Sequence, residues 1–312
     1  MDILVLLPFD DEQRAVFESG APAGAHITYV PKAEVTDEQI AQAEVIVGNL
    51  PPARLAHAER LRLLQLNSAG YDQYLAPGAL PVGAALACAV GAYGQAVSEH
   101  IFTMVLMLMK HLEGYRDDFR EHAWTDRGTV STIAGANVLV LGAGDIGTHF
   151  ARLASALGAH VIGVRRHVGE IPACFESMRT MEELPTLLPS ADVVVSFLPS
   201  SPETRGLVDA EFLASCRRGV YLANGGRGDL IVQPDLIAAL ESGQVAGAAL
   251  DVTTPEPLPA DDPLWDAPNI FITPHVAGQF HLPVVLTNIA HIAAENLQHL
   301  AADEPLRNQV KL

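Results

Sequence analysis

VLVLGAGDIG, residues 138–147, sets four apolar residues ahead of glycines at positions 142, 144 and 147. The spacing is G-x-G-x-x-G, and a segment of helical periodicity follows, so the stretch reads as strand, tight turn and helix. Gly142 permits the turn, Gly144 lets backbone amides approach an anion, and Gly147 lets the helix pack closely on the strand. Asp145 and Ile146 fall in the first turn of that helix, whose amino terminus then faces a pyrophosphate. A chance glycine-rich turn would lack both the strand before it and the helix behind it.

Outward from this turn, apolar runs at 161–164, 193–198, 220–223, 246–250 and 270–272 alternate with helical spacing. With the run at 138 they predict a six-strand doubly wound sheet. Toward the amino terminus, runs at 3–7, 45–47 and 63–66 alternate with helical segments around 37–43 and 53–60. That pattern predicts a second parallel sheet. A long helix follows Gly91 and Gly94, its stripe running from Ile101 to Met109, and is read as the bridge between domains. The tail from Leu282 to Leu300 has helical spacing and is expected to pack back on the first domain. The expected organisation is α/β, with a domain of residues 1–95 and 282–312 and a dinucleotide-binding domain of residues 96–281.

Composition narrows the partners. The chain has 312 residues, 49% apolar and 18% charged, with a formal net charge of -18. Such a surface repels phosphate backbones and anionic lipid, so neither nucleic acid nor a membrane is an expected partner. The longest apolar stretch is about half of what a bilayer-spanning helix requires. No secretory signal is visible at the amino terminus. Cys88, Cys174 and Cys216 are too few and too scattered for a disulfide framework or a zinc site. A cytoplasmic location is expected, and no metal.

The second strand of the glycine unit ends HVIGV, and Arg165, Arg166 and His167 follow. A NAD-binding unit carries an acidic residue here, about 20 residues past the glycines, for the ribose 2′-hydroxyl. Two guanidinium groups instead match a 2′-phosphate bidentately and stay charged at any working pH. NADP is therefore the expected cofactor, with NAD as the possible alternative.

Three polar clusters sit just past apolar strands, at the edge where a doubly wound sheet binds its ligand. They are NGGRGD with Arg227, DVTTPEPLP with Asp251 and Glu256, and TPHVAG with His275. Reducing a 2-oxo acid needs a cation for the carboxylate and carbonyl, and an acid for the developing alkoxide. Arg227 suits the first task. His275 suits the second, since an imidazole titrates near neutrality and a neighbouring carboxylate such as Glu256 favours its protonated form. Taken singly, each has a structural explanation: a surface arginine, a glutamate on a proline-rich loop, a histidine bonded to backbone.

Taken together the clusters resemble the D-2-hydroxyacid dehydrogenase family, including glyoxylate and hydroxypyruvate reductases, in which the fingerprint is followed by an arginine, a glutamate and a histidine. NSAGYD at residues 67–72 resembles the family's substrate loop, and FLPSSPETRGLV at residues 197–208 resembles its strand and loop over the cofactor. The resemblance implies two Rossmann-like domains, a flavodoxin-like substrate domain and an NAD(P)-binding domain, with catalysis in the cleft between them. It also implies homodimers and action on the D stereoisomer of a small 2-hydroxy or 2-oxo acid. By the same resemblance Arg227 orients substrate, Glu256 tunes the histidine and His275 is the general acid and base. Amides near Ala69 and Gly70 bind the carboxylate, Leu198, Pro199 and Thr204 belong to the cofactor loop, and Asp251 lies near the nicotinamide carboxamide. Two departures stand out: the arginines at 165 and 166, and Gln279 with Phe280 after the histidine loop. Tyr71, Tyr93, Trp124 and Phe280 are candidates to line the substrate pocket. Rival readings are a dinucleotide-sensing, corepressor-like protein, and a formate or phosphite dehydrogenase. The formate enzymes pair the histidine with glutamine, which Glu256 argues against.

Overall fold

Asp10 opens the first helix by accepting from the amide of Gln13, while the Gln13 side chain bonds back to the amide of Asp10. Thr36 and Gln39 repeat this reciprocal cap at the second helix. Such caps satisfy amides that the helix itself leaves unpaired. In this computed structural model, which describes residues 1–311, they separate β1 (Asp2–Val5), α1 (Asp11–Glu18), β2 (His26–Tyr29), α2 (Asp37–Gln42) and β3 (Val45–Val47). Then come α3 (Pro52–Leu55), β4 (Leu63–Gln65) and β5 (Ala85–Ala87). The helix expected over 53–60 stops at Leu55, because the backbone tightens to three-residue turns at Ala58 and Leu61 before entering β4.

The chain divides into two units, one made of Met1–Tyr93 with the segment from Phe280 onward, the other of Gly94–Gln279. The second unit holds α4 (Gly94–Met109), α5 (Leu112–Arg120), β6 (Asn137–Leu141), α6 (Asp145–Ala156), β7 (His160–Val164) and β8 (Ser177–Arg179). It continues with α7 (Leu184–Leu187), β9 (Val193–Ser196), α8 (Ala210–Ser215), β10 (Val220–Asn224), α9 (Gln233–Glu241), β11 (Val245–Leu250) and β12 (Ile270–Ile272). All of its strands pair in parallel, in the order β12-β11-β10-β9-β6-β7-β8. Seven strands stand where the sequence predicts six, because β8 is a short edge strand with a polar, half-exposed sequence that carries little hydrophobic signal.

Helices cover both faces, so the strands read as near-continuous apolar runs. Leu139, Val194, Leu222 and Leu250 share one core cluster, and each fully buried side chain of this size contributes about 1.5–3 kcal/mol. Against α4 and α6, Phe150 stacks between Phe102 and Phe197 at ring distances of 5.4 and 5.7 Å. The register aligns Leu141, Ser196, Asn224, Leu250 and Ile272 in one row across five strands. The loops that follow these residues therefore leave the sheet along one edge, and the chain reverses direction between β6 and β9, where such sheets bind ligands.

The first unit is completed by α10 (Pro283–Ala302) and β13 (Gln309–Val310), which pairs antiparallel with β5. Its sheet order is β13-β5-β4-β3-β1-β2, a flavodoxin-like arrangement with one antiparallel edge. Asn296 fixes the return. Fully buried, it donates to Gln65 at 2.6 Å and to the Arg307 carbonyl at 3.1 Å, and accepts from the Arg307 amide at 2.7 Å. Among the described residues no helix is long and apolar enough to cross a membrane.

Candidate active site

Gly142 has φ 87°, and a Cβ there would lie 2.9 Å from the Phe197 carbonyl carbon. At Gly147 a Cβ would meet the Gly142 oxygen at 2.4 Å, so both positions require glycine on steric grounds. Gly144 differs: nothing lies within 4 Å of where its Cβ would be. The amides of Asp145, Ile146 and Gly147 open α6 beside that space and have no intrahelical acceptors, which suits a diphosphate.

A cavity of about 1190 Å³ adjoins the turn, lined among others by Gly142, Gly144, Arg165, Arg166, Leu198, Pro199 and Thr204. That exceeds the ~300–1,000 Å³ usual for small-ligand sites and leaves room for a bulky group. Arg165 gives one nitrogen to the Glu170 carbonyl at 2.8 Å, while its buried Nε has no partner among the described residues. An unsatisfied buried guanidinium nitrogen is costly, and since solvent does not reach it, a phosphate oxygen would meet it only after the side chain turns toward the cavity. The Ser201 hydroxyl, with the charge of Arg166 adding to it, holds the Glu203 carboxyl below the usual range. Thr204 closes the loop on itself, donating to the Pro199 carbonyl at 2.7 Å and accepting from the Ser201 amide at 2.9 Å.

Arg227 leaves β10 just past Asn224, which is fully buried and ties the turn together. Asn224 donates to the Arg227 carbonyl at 2.8 Å and accepts from the Gly226 amide at 3.1 Å. Gly228 presses against the backbone of Thr253, where a Cβ would stand 2.0 Å from the Thr253 oxygen. The Thr253 amide donates to Glu256 at 3.2 Å, and the other Glu256 oxygen lies 2.8 Å from His275 Nδ1. A carboxylate only accepts, so Nδ1 carries the hydrogen and Nε2 is left to exchange a proton with a ligand. The imidazole is half exposed. Gln279 donates to the His275 carbonyl at 3.3 Å.

His275 has φ 51°, a left-handed backbone that costs a residue with a Cβ about 1–3 kcal/mol unless its surroundings fix it. Asp251, 2% exposed, supplies the fixing. Its carbonyl accepts the His275 amide at 2.8 Å, and its carboxylate accepts the Val276 and Ala277 amides at 3.0 and 3.1 Å and the Thr273 hydroxyl at 2.6 Å. Asp251 is thus a strut beneath the histidine turn.

In the first unit, Asn49 and Asn67 exchange side-chain and backbone bonds at 2.9 and 3.0 Å, and the Tyr93 hydroxyl donates to the Asn67 carbonyl. Burial pushes that phenol up to about 12. Neither the Ala69 nor the Gly70 amide joins a backbone bond among the described residues. Sequence reasoning missed Asn49, Asn224, Thr273 and His100. Asn224 was signalled by a lone amide ending the apolar strand VYLAN, and His100 by an imidazole on the buried stripe of Val97, Ile101 and Met104. Burial raises the thiols of Cys88 and Cys174 and takes Cys216 to about 11, so none is an activated nucleophile.

A glycine turn at the switch point of a doubly wound sheet, with a carboxylate-paired imidazole on the same sheet edge, defines a nicotinamide-dependent oxidoreductase. The profile described as D-isomer specific 2-hydroxyacid dehydrogenase, NAD binding domain, matches residues 102–277. A hydroxypyruvate reductase of Blautia hydrogenotrophica is 31% identical over 250 residues, covering 77% of this chain and 77% of that one. A D-isomer specific 2-hydroxyacid dehydrogenase family protein of Aeromonas salmonicida superposes with a TM-score of 0.87 at 31% identity, over 99% of this chain and 98% of the other. An NADPH-dependent glyoxylate/hydroxypyruvate reductase of Sinorhizobium meliloti, solved with NADP and sulfate, gives 0.82 at 26% identity, over 99% and 98%. The chain belongs to the D-isomer specific 2-hydroxyacid dehydrogenase family of NAD(P)-dependent oxidoreductases.

Proposed function

We propose that this chain is an NADP-preferring reductase of a small 2-oxo acid, of the glyoxylate or hydroxypyruvate type. The observation that carries the reading is the Glu256–His275 pair at 2.8 Å, which leaves Nε2 of the imidazole as the proton donor. When bound, the nicotinamide supplies or accepts the hydride at C2 of the substrate. His275 delivers a proton to the carbonyl oxygen as it becomes an alkoxide, and Glu256 stabilises the imidazolium that must exist beforehand. Arg227 holds the substrate carboxylate and polarises the carbonyl. The amides of Ala69 and Gly70 are assigned to substrate binding, and Asp251 to the carboxamide end of the cofactor as well as to its strut.

NADP is preferred over NAD because Arg165 and Arg166 line the cavity where an acidic residue would repel a 2′-phosphate. The relative from Sinorhizobium meliloti, named as NADPH-dependent, supports this choice. The protein is assigned to the cytoplasm, which its three free cysteines suit. Leu112, Phe119, Trp124 and Val130 are exposed apolar residues close in sequence, with Trp124 wholly exposed, and this segment is assigned to a homodimer contact. Sedimentation of Trp124→Glu tests that assignment, an unchanged mass removing it.

The decisive experiment is a panel of 2-oxo acids, glyoxylate and hydroxypyruvate among them, run with NADPH and NADH side by side. Turnover favouring NADPH is expected. Tight cofactor binding without turnover would make the protein a sensor, and activity on formate or phosphite alone would replace the substrate class.

A further inference from the structure

The Thr273 hydroxyl has one hydrogen and two acceptors in reach, Asp251 Oδ1 at 2.6 Å and Met104 Sδ at 3.8 Å. The short contact to a charged oxygen takes it. The same Thr273 oxygen lies 3.0 Å from His100 Nε2, and with its own hydrogen committed it can only accept there. Nε2 of His100 therefore carries a hydrogen. The ring nitrogen is also 3.7 Å from Asp251 Oδ1, so it approaches both members of the pair beneath the histidine turn. The series runs from His100 to Thr273, to Asp251, to the amides of Val276 and Ala277, and so to the left-handed backbone of His275.

We propose that His100 is a positioning residue for His275. Its Nε2 hydrogen turns the Thr273 hydroxyl onto Asp251, and this holds the carboxylate in the one orientation that grips both amides of the turn. The assignment rests on His275 being the general acid and base. His100 belongs to α4, remote in sequence from the loop it steadies, and is itself mostly buried. Without it the Thr273 hydroxyl is free to rotate toward Met104, and Asp251 loses the short bond that fixes its plane.

The test compares His100→Ala with His100→Gln, whose amide nitrogen occupies the place of Nε2. Wild type with glyoxylate or hydroxypyruvate and NADPH gives the reference turnover. The alanine variant is expected to lose kcat roughly tenfold, with the Kd for NADPH within about twofold of wild type. Hydrogen exchange at the Val276 and Ala277 amides is expected to quicken with it. The glutamine variant is expected to restore both readouts to within about threefold, which a merely structural role for the ring would not allow. An alanine variant with wild-type kcat and wild-type exchange overturns the proposal, as does a glutamine variant as impaired as alanine. Absence of turnover in wild type overturns the reductase reading instead, and exchange at the two amides still decides the part played by His100.

Discussion

Two turns at the end of parallel strands in the second unit, those of Gly142 and His275, reach the left-handed backbone by opposite means. Gly142 has φ 87° and no side chain to clash, and its neighbour Gly147 sits so close that any Cβ would strike the Gly142 oxygen. His275 has φ 51° with an imidazole attached, and its backbone is held by one buried carboxylate that gathers two amides and a hydroxyl. The first turn is shaped by what its residues omit. The second is shaped by what distant residues contribute, and it alone carries a group able to move a proton.

Removing that group should show the largest effect. His275→Asn keeps a residue that tolerates the left-handed conformation, so kcat is expected to fall by about 10²–10⁴ while NADPH affinity measured by fluorescence titration stays near wild type. A mutant with ordinary kcat would place the proton donor elsewhere. Gly147→Ala attacks the other turn, and crowding by its Cβ should cost about 1–3 kcal/mol, seen as a lower Tm and NADPH binding weakened roughly tenfold to a hundredfold. Unaltered binding would mean that the helix start plays no part in holding the diphosphate.

Arg165→Asp sharpens the contrast on the cofactor side, because it changes selectivity and leaves both turns intact. The ratio of kcat/KM for NADPH over NADH should drop by at least about tenfold, since a bidentate cation becomes a repelling anion. A constant ratio would remove this position from phosphate recognition. Asn224→Ala should have the smallest effect. It strips two bonds from the Arg227 turn, with about 1–3 kcal/mol lost in denaturant unfolding and a several-fold rise in the KM of the oxo acid against little change in kcat. Loss in kcat alone would show that Arg227 acts only on the transition state.

The contrast between the two turns also explains what could be read in the primary structure. Glycine spacing after VLVL is local, and so are the arginines at the end of β7 and the clusters that follow β10, β11 and β12, because each is fixed by its position just past an apolar run. Strands at or beside the sheet edges left fewer marks. β2 is half exposed, β5 is mostly alanine, β8 is polar, and β13 is two residues long, so each is set by pairing with a neighbour and carries no apolar period of its own. His100 and Asn224 left only faint marks, and Asn49 none, for a related reason. Their importance lies in partners brought near by the fold, and a polar residue on an apolar stripe announces only that some partner exists.

The first unit is split in sequence, its sheet and α1 waiting for α10, which arrives only after Gly94–Gln279 has been made. During synthesis the interposed unit can close its own core while the earlier strands stand half finished. Until Asn296 reaches Gln65, the Gln65 side-chain oxygen lacks its eventual donor, and the apolar surface that α10 will cover stays open to solvent.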